Sequence, residues 1–198
     1  MSDALPLPIV LASRSPQRVT LMRDAGYAFD TDPADIDESD VPAGLAAVGV
    51  ARHLALAKAR HVAGRHPDAC VIGADTVVAL GDELLGKPDD ANHARRMIRS
   101  LSGTMHRVIT GVAIVSPAAE VVDHAESTVT MKSLTDSEIE AYVATGDWQG
   151  KAGGYGIQNH LDVDADPFVA CTSGPADNVI GLPMELIETM LTPSGGPP

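Results

Sequence analysis

The chain has 198 residues, enough for one domain, or two closely joined lobes, around a single sizeable core. Its 27 Asp and Glu outweigh 14 Lys and Arg to give a net charge of −13, and aromatics are only 3%, so neither a broad basic face nor a strip of stacking rings is present and a general nucleic-acid binder is excluded. Apolar residues at 44% and charged residues at 21% give the composition of an ordinary folded domain and exclude a wholly disordered chain, and two cysteines, Cys70 and Cys171, are too few for a multi-bridge framework and point to a reducing, cytoplasmic setting.

Met1 to Ala12 holds a short apolar run broken by Pro6 and Pro8 with no basic flank, which reads as neither a signal peptide nor a membrane span. No other run approaches the ~20 apolar residues a spanning helix needs, so no membrane association is expected. Leu7 to Ser13 reads as a buried strand ending in a Ser-rich turn. Ser15 as N-cap and Pro16 at the first helical position open a helix that Gly26 ends. An extended stretch, Tyr27 to Thr31, leads into the acidic loop 35–40 and a long Ala-rich helix over about Leu45 to Gly64, with Val50, Leu54 and Ala57 as its expected apolar stripe.

Ala69 to Leu80 is β-branched and apolar, and Gly81-Asp82 turns it back into Glu83-Leu-Leu-Gly86 as a hairpin with one carboxylate, Asp75, inside it. A helix over about Asp90 to Ser100 follows, then strands over Arg107 to Val115 and Val121 to Met131. Thr135-Asp-Ser-Glu138 has capping-box spacing and opens a helix through Val143. Residues 146–156 carry five glycines and read as a functional loop. A strand around Phe168 to Thr172 and a short helix from Pro183 to Leu191 complete residues 1–191 as one domain, with 192–198 as a disordered tail. Helices alternating with strands, and hairpins in the middle, predict a mixed α/β sheet with flanking helices.

Two tempting patterns fail. Gly81 to Lys87 matches a P-loop until Pro88 stands where the magnesium-binding hydroxyl belongs. His61, His66 and Cys70 lack the second ligand pair that tetrahedral zinc needs. Three segments do carry chemistry. Ser13-Arg14-Ser15-Pro16-Gln17-Arg18 puts hydroxyls and guanidiniums at a strand-to-helix junction, which suits an anion and equally suits an ordinary N-cap with a solvated arginine. Asp75 in an apolar strand needs a partner, a metal or a cleft, and Lys58, Lys87 and the Asp35-Ile-Asp37-Glu38 loop are its candidate company. Cations for a polyphosphate and oxygens for a hard divalent ion are then both available, and a water beside Asp75 could be deprotonated for in-line attack. Lys151 to Gln158 combines glycines that permit close backbone approach with Gln158, whose amide can read a planar base edge or simply be solvated.

Nine stretches carry a resemblance, in order from about Ile9 to Leu186: Leu11-Ala-Ser-Arg-Ser-Pro-Gln-Arg18, Ala34-Asp-Ile-Asp-Glu38, Leu56-Ala-Lys58-Ala, Gly73-Ala-Asp75-Thr-Val-Val78, Gly86-Lys87-Pro88, Leu101-Ser-Gly103, Thr110-Gly111-Val, Lys151-Ala-Gly-Gly-Tyr-Gly-Ile-Gln158 and Asn178-Val-Ile-Gly-Leu-Pro183. Together they resemble the Maf family of nucleoside triphosphate pyrophosphatases. The resemblance implies an inosine triphosphatase-like α/β fold with two lobes around a cleft, often dimeric. It implies cleavage of a nucleoside triphosphate between the α and β phosphates, with a divalent cation (magnesium, manganese or cobalt). It assigns Asp75 as general base and, with Glu38, as a metal-site acid; Ser13, Arg18, Lys58 and Lys87 as phosphate contacts; and Gln17, Thr76 and Gln158 as base-selecting positions. Thr76 and the Gly-x-Tyr-Gly-Ile-Gln ending resemble the branch acting on dTTP and UTP, although Gln17 stands where that branch usually has Arg. The alternatives are a 7-methyl-GTP or broad-range pyrophosphatase, or a non-catalytic nucleotide-binding regulator of septum formation.

Overall fold

A computed structural model describes residues 7–157 and 168–192. Its elements, in chain order, are β1 (Ile9–Leu11), α1 (Pro16–Asp24), β2 (Phe29–Thr31), α2 (Ala47–Ala63), β3 (Cys70–Leu80), β4 (Glu83–Leu85), α3 (Ala91–Leu101), β5 (Met105–Val115), β6 (Glu120–Met131), α4 (Asp136–Thr145), a 3₁₀ turn (Ala152–Gly154), β7 (Val169–Ser173), α5 (Ala176–Ile180) and α6 (Met184–Leu191). Ser15 caps α1 with Pro16 following it, Asp90 caps α3 through the His93 amide, and Thr135 and Glu138 form the capping box of α4. Each boundary therefore follows the local signal in the sequence. The described part of the predicted tail is Thr192, whose N–H and hydroxyl both bond back to Glu188 O; residues 193–198 lie outside the described residues.

The strands form one mixed sheet in the order β2-β1-β3-β5-β6-β7, with β4 also paired to β3. β1 runs parallel to β2 and β3, whereas β3, β4, β5, β6 and β7 are joined by antiparallel pairings. This is the expected mixed α/β class. Gly81-Lys87, the failed P-loop match, is the turn and second strand of the β3–β4 hairpin and what directly follows it, and the next helix, α3, opens only at Ala91, so no helix N-terminus stands at Gly86-Lys87 to hold phosphates. Among the described residues no helix is long and apolar enough to cross a membrane.

Register places a notch in the sheet. Along one side of β3, β1 pairs with Cys70 to Ile72 and β4 pairs with Val78 to Leu80, while residues 73–77 have no strand beside them on that side. On the other side β5 pairs continuously from Val71 to Ala79. Successive strand side chains point to opposite faces, so an open edge exposes residues of both faces to one cleft.

α2 covers one face. Its buried positions are Ala47, Ala51, Leu54, Ala55, Lys58, Ala59 and Val62. Val50 and Ala57, expected in the apolar stripe, are only partly buried, so the true contact face is rotated from the predicted one and is built from alanines. The cause lies in the sheet. A Cβ on Gly73 would meet Ala55 O at 2.4 Å, and one on Gly111 would meet Ala51 O at 2.3 Å. The missing side chains let the helix backbone rest against the strands. On the opposite face, Leu11, Met22, Ile72, Val112, Leu182 and Ile187 form one core beneath α1 and α6, and Val78, Val108, Ile98, Leu101, Tyr142, Trp148 and Phe168 form another beneath α3 and α4.

Candidate active site

A cavity of about 640 Å³ opens at the notch, within the range of sites that hold small ligands. Ser13, Gln17, Arg18, Glu38, Lys58, Asp75, Thr76 and Lys87 all line it, so each described residue to which the family resemblance gave a role lies in its wall. Gln158 lies outside the described residues, while its neighbour Ile157 lines the wall. Five cations (Arg14, Arg18, Lys58, Lys87, Lys151) face three carboxylates (Asp35, Glu38, Asp75) in the lining of a chain whose overall charge is −13. The protein has concentrated positive charge at one concave place, as anion binding requires.

The centre is an alternating chain of charges. Lys58 Nζ donates to Asp75 Oδ1 at 2.5 Å and to Glu38 Oε1 at 2.8 Å, and Lys87 Nζ donates to Glu38 Oε2 at 2.6 Å. The Lys58 and Asp75 side chains are 9% and 8% exposed, but Glu38 and Lys87 are 42% and 48% exposed, so the inner pair is desolvated and the outer pair sits in solvent at the mouth. Burial pushes the Glu38 carboxyl upward, yet the hydrogen bonds and charges of Lys58 and Lys87 outweigh it and hold the group at about 2. Among the described residues Asp75 Oδ2 has no hydrogen-bond partner. Asp37, also in the acidic loop, instead accepts from the Ser39 amide and hydroxyl, and Asp35 stays 91% exposed near Arg14, so Glu38 is the loop's contribution to the centre.

The strand-to-helix junction is largely self-satisfied. Ser13 Oγ accepts from the Ser15 amide, Ser15 Oγ accepts from the Arg18 amide and donates to Gln17 Oε1, and Pro16 has no N–H. The expected anion site at this helix end is therefore reduced to its side chains and the Gln17 amide. Arg18 differs more from expectation. Its Nε donates to Gly181 O at 2.7 Å, one Nη to Ala74 O at 2.8 Å and the other to Thr76 Oγ1 at 3.0 Å. Three of its five N–H donors thus bond to protein, and one of them satisfies a β3 carbonyl left open by the notch. Burial lowers its basicity, against the raising fields of Asp75 and Glu38. The Thr76 hydroxyl also meets Thr110 Oγ1 at 2.9 Å, so it is engaged on both sides.

The glycine loop forms the opposite wall, with Gln149, Gly150, Lys151, Ala152, Tyr155 and Gly156 lining the cavity. The Gly153 amide donates to Gly86 O at 2.9 Å, beside Lys87, and Tyr142 Oη donates to Gly154 O at 3.1 Å. Burial lowers the Lys151 ammonium, with Asp147 opposing that shift. Sequence reasoning missed α5. Five residues are too few for a periodic signal, yet Val179 and Ile180 line the cavity and Asn178 anchors the turn by donating to Val108 O and Ser127 Oγ. The marker available in the sequence was the Gly174-Pro175 pair before it and Gly181 after it.

A family model described as Maf-like protein matches residues 8–193. The chain belongs to the Maf family. Three curated relatives carry the name dTTP/UTP pyrophosphatase. The one from Symbiobacterium thermophilum is 44% identical over 96% of this chain and 95% of its own. That from Pelotomaculum thermopropionicum is 44% identical over 94% and 96%, and that from Moorella thermoacetica 46% over 92% and 93%. Among solved structures, a HAM1 protein from Coxiella burnetii is similar over 63% of this chain and 73% of that one, at 19% identity and a TM-score of 0.44. The curated relatives thus match over nearly the whole chain, and the family model spans every element that lines the cavity.

Proposed function

We propose that this Maf protein hydrolyses nucleoside triphosphates between the α and β phosphates, releasing a nucleoside monophosphate and pyrophosphate, with dTTP and UTP as its substrates. The observation that carries this reading is Asp75, a carboxylate buried in the cavity, held through one oxygen by Lys58 and with the other oxygen lacking a partner among the described residues. Such a group can accept a proton from a water aimed at phosphorus. The names of the relatives support the substrate class.

In this reading Lys87 and Lys58 exchange carboxylate for phosphate oxygens when the triphosphate enters, and Ser13 donates its hydroxyl from the floor. Arg18 keeps two N–H donors for the same anion while its other three hold Ala74, Thr76 and Gly181 in place. Gln17 and Gln158 select the base, and Thr76 does so through its methyl side, since its hydroxyl is engaged.

The donor set also fits a divalent cation, magnesium, manganese or cobalt. Asp75 and Glu38 direct oxygens at one point, the Lys58 nitrogen, at 2.5 and 2.8 Å. Among the described residues no third acid, His or Cys joins them, which suits magnesium, an ion held by one or two carboxylates plus substrate phosphates. Asp75 and Glu38 would hold it, and when bound it neutralises phosphate charge and polarises the phosphoryl group. Few cysteines and the acidic charge support a cytoplasmic enzyme that acts on free nucleotides and not on nucleic acid, and we take the assembly to be a homodimer.

Anion-exchange chromatography of products from a panel of triphosphates with magnesium or manganese tests the reading. Monophosphate and pyrophosphate, formed fastest from dTTP and UTP, are expected; diphosphate with orthophosphate would overturn it.

A further inference from the structure

His106 sits in β5, 2% exposed, on the same face as Val108, and does not itself line the cavity. Its Nε2 lies 2.5 Å from Tyr155 Oη, and the two rings meet edge to face with centroids 5.4 Å apart at 78°. Its other nitrogen, Nδ1, is buried and has no hydrogen-bond partner among the described residues. Orphaning a buried ring nitrogen is costly, and an apolar residue would fill this part of the core at lower cost. Burial also pushes the imidazole down to about 4, so it stays neutral at ordinary pH. An imidazole at this position is explained by what its one hydrogen bond among the described residues holds.

That bond ends on Tyr155, which lines the cavity just after the 3₁₀ turn. The turn itself is fixed through backbone, by Gly153 N–H to Gly86 O and by Tyr142 Oη to Gly154 O. His106 adds the contact that orients a side chain at the end of this turn. Tyr155 shares one apolar cluster with Val78 and Val108, which are register partners on β3 and β5, and with Val179 packed against it, and all of these line the cavity, as do Ile180 and Ile157. This is the surface a flat nucleobase would meet, three residues along β3 from Asp75.

We propose that His106 is a positioning residue for substrate recognition: its hydrogen bond to Tyr155 sets the wall that receives the nucleoside end of the triphosphate. The proposal rests on the pyrophosphatase reading above. It places His106 outside the chemistry, so its loss weakens binding of substrate and transition state alike and leaves the chemical step intact.

The test uses Tyr155→Phe, His106→Phe, the double variant and His106→Gln, in which the amide nitrogen can stand where Nε2 stood. Each Phe single is expected to raise KM for the triphosphate about tenfold with kcat changed less than about twofold. The double variant, which removes both polar partners, is expected to recover the Tm lost by His106→Phe while KM stays as high as in either single. His106→Gln is expected to return KM to within about threefold of the parent. Unchanged KM in the singles, or KM recovering together with Tm in the double, would overturn the proposal by reducing the pair to packing. Limited proteolysis within residues 146–157 reads the same contact without turnover. Cleavage should quicken by a like factor in both singles, and equal rates in parent and variants would also overturn the proposal. Failure of the parent protein to cleave triphosphates would sink the functional reading while leaving the proteolysis result to be read.

Discussion

Lys58 Nζ and Asp75 Oδ1 lie 2.5 Å apart and almost out of solvent, although one side chain belongs to α2 and the other to the open edge of β3. Directly across the ladder from Asp75 stands Gly111. Because that position has no side chain, the backbone of α2 approaches at Ala51 and carries Lys58, two turns further on, down to the carboxylate. The charge arrangement at the centre of the site therefore depends on a packing detail.

Asp75→Asn keeps the volume and removes the proton acceptor. Glu38 still neutralises Lys58, so the fold should survive with a circular dichroism spectrum like the parent's. Turnover should fall by about 10² to 10⁴, the range attributed to general-base groups. Steady-state rates within about tenfold of the parent would remove Asp75 from the mechanism.

Gly111→Ala adds one methyl at a place where the new carbon would lie 2.3 Å from Ala51 O. The helix backbone must move, so we expect a loss of about 1–3 kcal/mol in urea unfolding together with reduced turnover as Lys58 leaves Asp75. The conservative nature of the change makes the outcome diagnostic. A stable and fully active variant would show that the helix contact does not set the site.

Lys58 and Lys87 should fail in different ways. Lys87 is 48% exposed, so Lys87→Met is expected to cost little stability and to raise KM about 10- to 100-fold through loss of a charged contact. Lys58→Met leaves buried Asp75 without its cation and should lose about 3–5 kcal/mol of stability before any kinetic effect is considered. Thermal melts beside KM measurements separate the two.

His106 gives a signature in pH. Its pKa falls from 6.5 when unfolded to about 4 when folded, so between these values the unfolded chain binds more protons and stability drops as pH falls. The contribution is complete above about pH 6.5 and is lost progressively towards pH 4, with a limiting slope of about 1.4 kcal/mol per pH unit. Plots of unfolding free energy against pH should be flatter across that window in His106→Phe than in the parent. Parallel curves would contradict a buried neutral imidazole.

Much of this was legible in the sequence because the signals were local. Ser15-Pro16, Thr135-Glu138 and Gly81-Asp82 each state their turn or cap in adjacent residues, and the structure places boundaries there. The face of α2 was misjudged because Val50 and Ala57 were weighed by hydrophobicity, whereas the helix lies against Gly73 and Gly111 and needs small residues at Ala51, Ala55 and Ala59. That requirement is set by strands distant in sequence. That Asp75 would meet Lys58 and Glu38 was legible, since a carboxylate in an apolar strand requires a partner, whereas Gln17 and Thr76 were named only through the family resemblance. Other bonding was not legible: the engagement of Arg18 with Ala74, Thr76 and Gly181, and of His106 with Tyr155, depends on contacts spanning 49 to 163 residues.

Hydrolysis of dTTP in ¹⁸O-labelled water measures most directly whether the cavity aims its nucleophile at the innermost phosphorus. The account predicts that the label appears in the monophosphate and that the pyrophosphate carries none. Label in the pyrophosphate, or in orthophosphate, would contradict it.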